Sequence, residues 1–457
     1  MESSHVGSRG NWTSRFGFIL AAAGSAIGLG NIWRFPYTAG QYGGGAFVLV
    51  YLLFVAMIGV PVLLSELSLG RATEKNAVGA FKDLVPGSWW PVVGGLGVLT
   101  GFGILSFYSV IAGWTLSYAY MAARGEFSNG LSGEESNAVF TTLTSNGGTM
   151  VFLTAIFMLL TALVVRRGIS GGIERAAKIL MPVFFFLLVL LVVRSVTLEG
   201  AGEGLEFLFH TDFSELTAAG VVSALGQALF SLSIGMGAMI TYGSYLSRDE
   251  NLPSAGLTVA LFDTGIALVA GLMIFPALFH AGAEPTAGPG LVFVVMPTIF
   301  GTLPALPTLF AVGFYGLLAI AALTSTISLL EVIVAYFVDE RGWRRERAVW
   351  TITAACLVLA VPSALSNGAV PALSNLPGGG FLGLCSIIFG NYFLSIGAVF
   401  ICVFVGWRWG IPQALAEMRR GSAGLLAGAF WGFLVRYVCP VAVVAVLVYA
   451  AWTGSYF

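Results

Sequence analysis

Apolar runs follow one another along the chain, separated by short polar breaks, near residues 12–37, 43–70, 91–123, 149–166, 173–197, 221–246, 254–281, 307–339, 348–366, 380–408 and 425–453. A helix needs roughly 20 apolar residues to cross a bilayer core. Runs such as Val183 to Val193 lack the alternation that a membrane β-strand requires. The pattern therefore predicts an all-α polytopic membrane protein with eleven spans. The shorter amphipathic stretch around Pro297 reads as an extracellular helix rather than a twelfth crossing. The first run continues into Arg34 and Pro36 without a small-residue cleavage site, so it is expected to be a retained helix.

Composition agrees with the pattern. Of 457 residues, 57% are hydrophobic and 9% are charged, against about a quarter charged in a soluble domain. A net charge of −1 gives no electrostatic reason to expect nucleic acid. Basic residues gather between alternate spans, from Arg15 and Arg71 through Arg166, Arg167 and Arg248 to Arg341, Arg344, Arg345, Arg347, Arg419 and Arg420. The opposite loops hold little besides Arg124, and Glu199, Glu203, Glu206, Asp212 and Glu215 make one of them acidic. The positive-inside rule then puts the amino terminus in the cytoplasm and, after an odd number of spans, the carboxyl terminus outside, in the cell membrane. Cys356, Cys385, Cys402 and Cys439 all lie in apolar runs and read as free thiols. His5, His210 and His280 form no cluster of catalytic or metal-binding type, so an enzyme is not expected.

Two spans carry helix-breaking sequence. The first holds Gly24, Gly28 and Gly30 within seven residues, and the sixth holds Ser231-Leu232-Ser233-Ile234-Gly235-Met236-Gly237. Each interior glycine costs a helix about 1 kcal/mol relative to alanine. Taken singly, either stretch fits close helix packing by small residues as well as local unwinding. Their separation by five spans favours unwinding, because corresponding interruptions in two halves point to a binding site at mid-membrane. The two halves would be 12–197 and 221–408, with 425–453 as an additional helix, all within one transporter domain.

The residues from Trp12 to Gly45, with Gly24-Ser25-Ala26-Ile27-Gly28-Leu29-Gly30-Asn31-Ile32-Trp33-Arg34-Phe35-Pro36-Tyr37 at their centre, closely resemble the neurotransmitter:sodium symporter family. Further matches are Glu66 to Arg71, Arg167 to Glu174, Gln227 to Tyr245 and Leu323-Thr324-Ser325. The resemblance implies a 5+5 inverted-repeat core with discontinuous first and sixth helices, and sodium-driven uptake of an amino acid.

By the same resemblance, two Na+ sites are expected. One takes the carbonyls of Gly24, Ile27 and Ala321 with the hydroxyls of Thr324 and Ser325. Back-bonding to a carbonyl one turn earlier is the ordinary alternative for such hydroxyls. The other takes the Ala26 carbonyl, Asn31, Ser231 and Asp263, completed by the substrate carboxylate. Much of the family has asparagine where this chain has Asp263. In animal members with that asparagine, a nearby chloride contributes negative charge. A charge deep in a span costs at least about 2.5 to 3.5 kcal/mol, so a functional partner is the default reading. Asp263 is therefore expected to supply the charge itself and make chloride unnecessary, and its protonation after sodium leaves would favour return of the unloaded carrier. Glu66 is read as a structural group that bonds the unwound segments. Proton coupling through Asp263 and Glu66 is the alternative to sodium.

The resemblance also places Ala26, Ser231, Ile104, Tyr108, Phe230, Ser233, Met236, Ser325 and Leu329 around the substrate, with the Leu29 and Gly30 amides facing its carboxylate. Gly28 stands where amine carriers have an aspartate, so an amino acid is expected rather than an amine. No charged side chain is matched to the side-chain subsite, which favours a neutral substrate. Met236 is flexible enough for large hydrophobic or aromatic side chains. Gates are expected from Arg9, Trp12, Ser244, Tyr245 and Asp339 on the inside and Arg34 on the outside. The usual outer partner of that arginine is missing, because no acidic residue occurs from Arg347 through Ala416, and Ser386 lies nearest the expected place. Gly172 and Pro182 have the spacing that some bacterial relatives use to unwind the fifth helix, with a simple proline kink as the competing account. A membrane sensor for the same ligand is the second function class, and termini this short are not expected to supply its signalling domain. Oligomeric state is left open.

Overall fold

The computed structural model describes residues 10–285, 290–303, 305–422 and 427–454, and these form helices, turns and loops without a strand. Among them, nine helices are long and apolar enough to cross a membrane: Gly45–Thr73, Pro91–Ala123, Gly147–Val165, Ile169–Val196, Leu252–His280, Pro307–Arg341, Arg345–Leu365, Phe381–Met418 and Gly428–Thr453. These are spans two to five and seven to eleven in chain order. Span one is a pair of helices, Arg15–Ala26 and Gly30–Gln41, bent by 49°. Span six, expected as one run over 221–246, is two helices, Ala218–Ser231 and Ala238–Gly243. The protein is an all-α polytopic membrane protein.

The breaks have local causes. Span one leaves helical geometry at Ile27, whose ψ is 105°. The Asn31 side chain then accepts a 3.0 Å bond from the Gly28 amide, which the helix no longer satisfies. In span six the chain reverses hand three times, at Ser233 (φ 53°), Gly235 (φ 85°) and Gly237 (φ 75°). Glycine takes such angles freely. Serine does not, and strain of this kind gathers at functional sites.

Burial separates core spans from outer ones. The most apolar window of span eight is 83% buried and that of span three 72%, whereas span five reaches only 28%. Spans three and eight therefore flank the two broken helices, and span five presents most of its surface to lipid. Around Pro297 lies a short helix, Leu291–Phe300, which fits the expectation of no twelfth crossing there. It is held by hydroxyls of spans three and eight, Tyr118 donating to the Phe293 carbonyl (2.8 Å) and Tyr315 to that of Val292 (3.0 Å). Outside the membrane, helix Gly133–Ser145 begins with a reciprocal cap between Ser132 and Glu135. The bonds from Ser132 hold the Glu135 carboxyl below the usual carboxylate range.

Candidate functional site

Freed backbone groups in a membrane must find partners inside the protein. Here the two breaks satisfy one another. The Ser233 hydroxyl donates to the Ser25 carbonyl (3.0 Å), as does that of Ser325 in span eight (3.3 Å). Gln227 of span six donates through Nε2 to the Gly30 carbonyl (2.8 Å). Glu66 of span two accepts from the Gly235 amide through Oε1 (2.6 Å), the structural use the sequence suggested.

Against this junction sits a buried carboxylate. Asp263 accepts from Asn31 Nδ2 (2.7 Å to Oδ1) and from Ser231 Oγ (2.9 and 2.8 Å to Oδ1 and Oδ2). Asn31 Nδ2 also reaches the Ser231 hydroxyl and the Asp263 carbonyl, each at 3.0 Å. Asp263 and Asn31 are wholly inaccessible to solvent. Among the described residues no basic side chain pairs with Asp263. A carboxylate surrounded by oxygen and amide groups, with no cationic side chain, has the chemistry of a site for a small hard cation. Three of the four expected protein contributors thus meet, and Ala26 lines the adjoining cavity.

The second expected cation site is assembled differently. Span one approaches span eight so closely that a Cβ on Gly24 would lie 3.3 Å from Thr324 Cβ. Thr324 donates back to the carbonyls of Ile320 (3.2 Å) and Ala321 (3.0 Å), the ordinary intramembrane arrangement. Ser325 bonds the Ser25 carbonyl, one residue past Gly24. Ile27 is fully buried alongside.

Between the breaks lies a narrow cavity of about 320 Å³. Its lining contains Ala26, Gly28, Gly30, Ile104, Tyr108, Phe230, Ser233, Met236, Ser325 and Leu329. Ser25 also lines it, a residue sequence reasoning passed over although it stands in the glycine-rich break. Ser231 and Leu29 are not in the lining. Ser231 turns to Asp263, and the Leu29 amide donates to Tyr108 Oη (2.9 Å) while the residue lines a second cavity farther out. A Cβ on Gly28 would stand 2.5 Å from Ser325 Oγ and 2.7 Å from Tyr108 Oη, so a side chain there would displace both hydroxyls.

Cavities flank this centre on both sides. The outer one, about 1100 Å³, is lined by Arg34, Trp33, Tyr108, Phe230, Ser386 and the glycines 378, 379 and 383, among others. Tyr108 and Phe230 line both it and the central cavity, forming the partition. The Arg34 guanidinium lies 5.0 Å from the Phe230 ring centre, a cation–π contact. Among the described residues Arg34 has no acidic partner, and Ser386 shares its cavity. On the inner side Trp12 donates through Nε1 to the Tyr242 carbonyl (3.1 Å) and packs edge-on against Phe18, Tyr242 and Tyr245. Ser244 bonds the Thr241 carbonyl (2.7 Å). Asp339 accepts from the Asn76 amide (3.2 Å) and Nδ2 (2.8 Å). Arg9 lies outside the described residues. Span five is continuous through Pro182, opening with a wide turn over Ile169–Glu174, so it is not unwound in this conformation.

One buried polar network escaped the sequence reading. Glu331 of span eight, fully buried, accepts from the Tyr245 hydroxyl (2.8 Å) and pairs with Arg345. A lone glutamate in an apolar stretch was the available signal, the same one that marked Glu66 and Asp263.

Comparison with known proteins places this geometry. The model of the sodium:neurotransmitter symporter family matches residues 9–140 and 135–455. An uncharacterized sodium-dependent transporter, YhdH, of Bacillus subtilis is 42% identical over 436 residues, covering 95% of this chain and 96% of the relative. An uncharacterized sodium-dependent transporter of Haemophilus influenzae is 34% identical, covering 96% and 98%. Among solved structures, that of MhsT in complex with L-phenylalanine superimposes with a TM-score of 0.89 at 45% identity, over 96% of this chain and 99% of that one.

Proposed function

The chain belongs to the sodium:neurotransmitter symporter family and is a sodium-coupled transporter rather than an enzyme, and from that premise we propose that it carries neutral, hydrophobic L-amino acids, branched-chain or aromatic, into the cell. The observation that carries this reading is the meeting of both helix breaks around one narrow, mostly apolar cavity beside the Asp263 cluster. The substrate carboxylate turns toward the break amides and the cation held by Asp263, Asn31 and Ser231. Its side chain lies among Ile104, Met236, Leu329 and Phe230. The solved relative's L-phenylalanine complex supports an aromatic amino acid in this class of site.

Na+ binds at two sites, one at the Asp263 cluster and one among Gly24, Ile27, Ala321, Thr324 and Ser325. A ligand shared between ion and substrate makes each raise the affinity of the other. Asp263 supplies the negative charge, so chloride is not needed. Residues 12–197 and 221–408 act as inverted repeats that open the cavity alternately through the Arg34–Phe230 closure and the Trp12–Tyr245 closure. The amino terminus is cytoplasmic and the carboxyl terminus extracellular, in the cell membrane.

Two measurements on purified protein in proteoliposomes test this. Uptake of labelled L-leucine driven by a sodium gradient is expected to persist when gluconate replaces chloride, and a strong chloride requirement would reject the assigned role of Asp263. Unlabelled leucine, phenylalanine and tryptophan are expected to compete far better than glycine or alanine. The opposite order would reject the substrate class while leaving sodium coupling intact.

A further inference from the structure

Away from the transport path, a second concavity opens on the outside of the bundle. It measures about 1090 Å³, against about 320 Å³ at the centre, and it lies between spans three, eight and nine and the short helix Ala77–Leu84. Val92, Gly95, Leu99, Phe102, Phe337 and Ala355 line it, with Tyr336 the one polar tip. Val92 is 67% exposed and Leu99 47%, so the groove faces the surroundings of the bundle and not its interior. Those surroundings, at membrane-spanning helices, are hydrocarbon. A void there forfeits dispersion contacts that an inserted chain would regain, but lipid tails are as apolar as the groove walls, so apolarity alone selects no particular lipid.

Selection comes from the end of the groove. Phe337 in its wall packs against Trp343, with ring centres 4.7 Å apart, and the Arg347 guanidinium lies 4.7 Å over that same Trp343 ring. A continuous ladder thus leads from the groove to the helix ends where Arg341, Arg344 and Arg347 are exposed. Nearby Glu340 is paired with Lys82 (3.1 Å), while Asp339 is hydrogen-bonded by the neutral Asn76 and keeps its charge, so Glu346 and Asp339 stand against the three arginines. The local balance is positive, and basic groups beside a crevice between membrane helices attract anionic head groups.

We propose that this groove binds one acyl chain of an anionic phospholipid from the leaflet at the basic helix ends, with the phosphate beside Arg347. Val78 of the short helix lines the same groove, two residues from the Asn76 that holds Asp339. The lipid therefore touches the element that anchors the inner closure.

The test is native mass spectrometry of the full chain released from nanodiscs of equal parts phosphatidylglycerol and phosphatidylcholine. Wild-type protein is expected to retain one phosphatidylglycerol, preferred roughly fivefold over phosphatidylcholine, the scale of one arginine near a head group. A Cβ added at Gly95 meets nothing within 4 Å, so Gly95→Phe fills the groove without a backbone clash and should cut retention about tenfold. Ala355→Phe fills it from span nine and should do the same, so the result does not depend on one variant folding well. Arg347→Gln should keep the bound lipid but equalise the two head groups. Retention in both filled variants equal to wild type would overturn the proposal. So would equal retention of the two lipids by wild type, or a dimer that disappears when the groove is filled, which would make a second copy of the chain the occupant.

Discussion

The two proposed cation sites lie on either side of the same broken helix, yet they are built in opposite ways. At the Asp263 cluster the ligands already face one another: a carboxylate, an amide and a hydroxyl are wholly buried and bonded among themselves. At the span-eight site Thr324 spends its hydroxyl on carbonyls of its own helix. The first site carries a fixed negative charge that a cation neutralises, and taking the charge away leaves Asn31 and Ser231 without their acceptor. The second is neutral: Thr324 shares its one proton between two carbonyls, and its oxygen lone pairs are what it can offer a cation. Charge and preorganisation are thus concentrated at the proposed site beside the substrate cavity.

The largest effect should come from Asp263→Ala, which strips that charge and orphans two buried donors. Each hydrogen bond to a charged group is worth about 1.5 to 3 kcal/mol, so sodium-driven uptake should fall roughly a hundredfold or more. Asp263→Asn keeps an acceptor and the shape, and should lose about tenfold in gluconate, with part recovered in chloride. Chloride-insensitive uptake by this variant would show that charge is not what distinguishes the site. Next in size is Gly28→Ala. Its Cβ must displace the Ser325 and Tyr108 hydroxyls, and overpacking of about 1 to 3 kcal/mol predicts roughly tenfold weaker amino-acid binding in an equilibrium assay.

Thr324→Val should raise the sodium concentration for half-maximal uptake about tenfold, equivalent to ~1.4 kcal/mol. Because the hydroxyl is only back-bonded, thermal stability should change by no more than about 1 kcal/mol. A variant with unaltered sodium dependence would remove the second site from the account. The smallest effect is expected at the outer cavity. Ser386→Asp places a carboxylate in the cavity that Arg34 lines. A partly buried but water-accessible pair worth about 1 kcal/mol should slow alkylation of a Leu382→Cys reporter no more than about fivefold. No change would mean that Phe230 and Tyr108 alone set outer closure.

Much of this was legible beforehand because membrane proteins announce their constraints locally. Long apolar runs fixed the span order, and Gly24, Gly28 and Gly30 marked the first break through helix propensity. Resemblance then supplied residues no periodicity singles out, such as Ile104 and Leu329, which lie in the cavity as aligned. What could not be read is what depends on tertiary approach. Ser25 enters the cavity only because its carbonyl is turned out by the break, to be met by Ser233 and Ser325. Ser233 takes a left-handed conformation that a run of serines and glycines does not assign to one residue in particular. The pairing of Glu331 with Arg345 joins two spans across a loop, and sequence distance gives no hint of it. Gly172 and Pro182 carry spacing compatible with an unwound fifth helix, but a helix can be capable of opening and still be closed in one conformation.

The central claim is that cation and amino acid share one site at the joined breaks. Equilibrium binding of labelled L-phenylalanine to purified protein, measured against sodium concentration in gluconate with choline as replacement, tests it most directly. The account predicts binding that rises steeply with sodium in the wild type and stays near background at every sodium concentration in Asp263→Ala. Equal binding in choline and sodium, or a sodium response that survives loss of the Asp263 carboxylate, would contradict it.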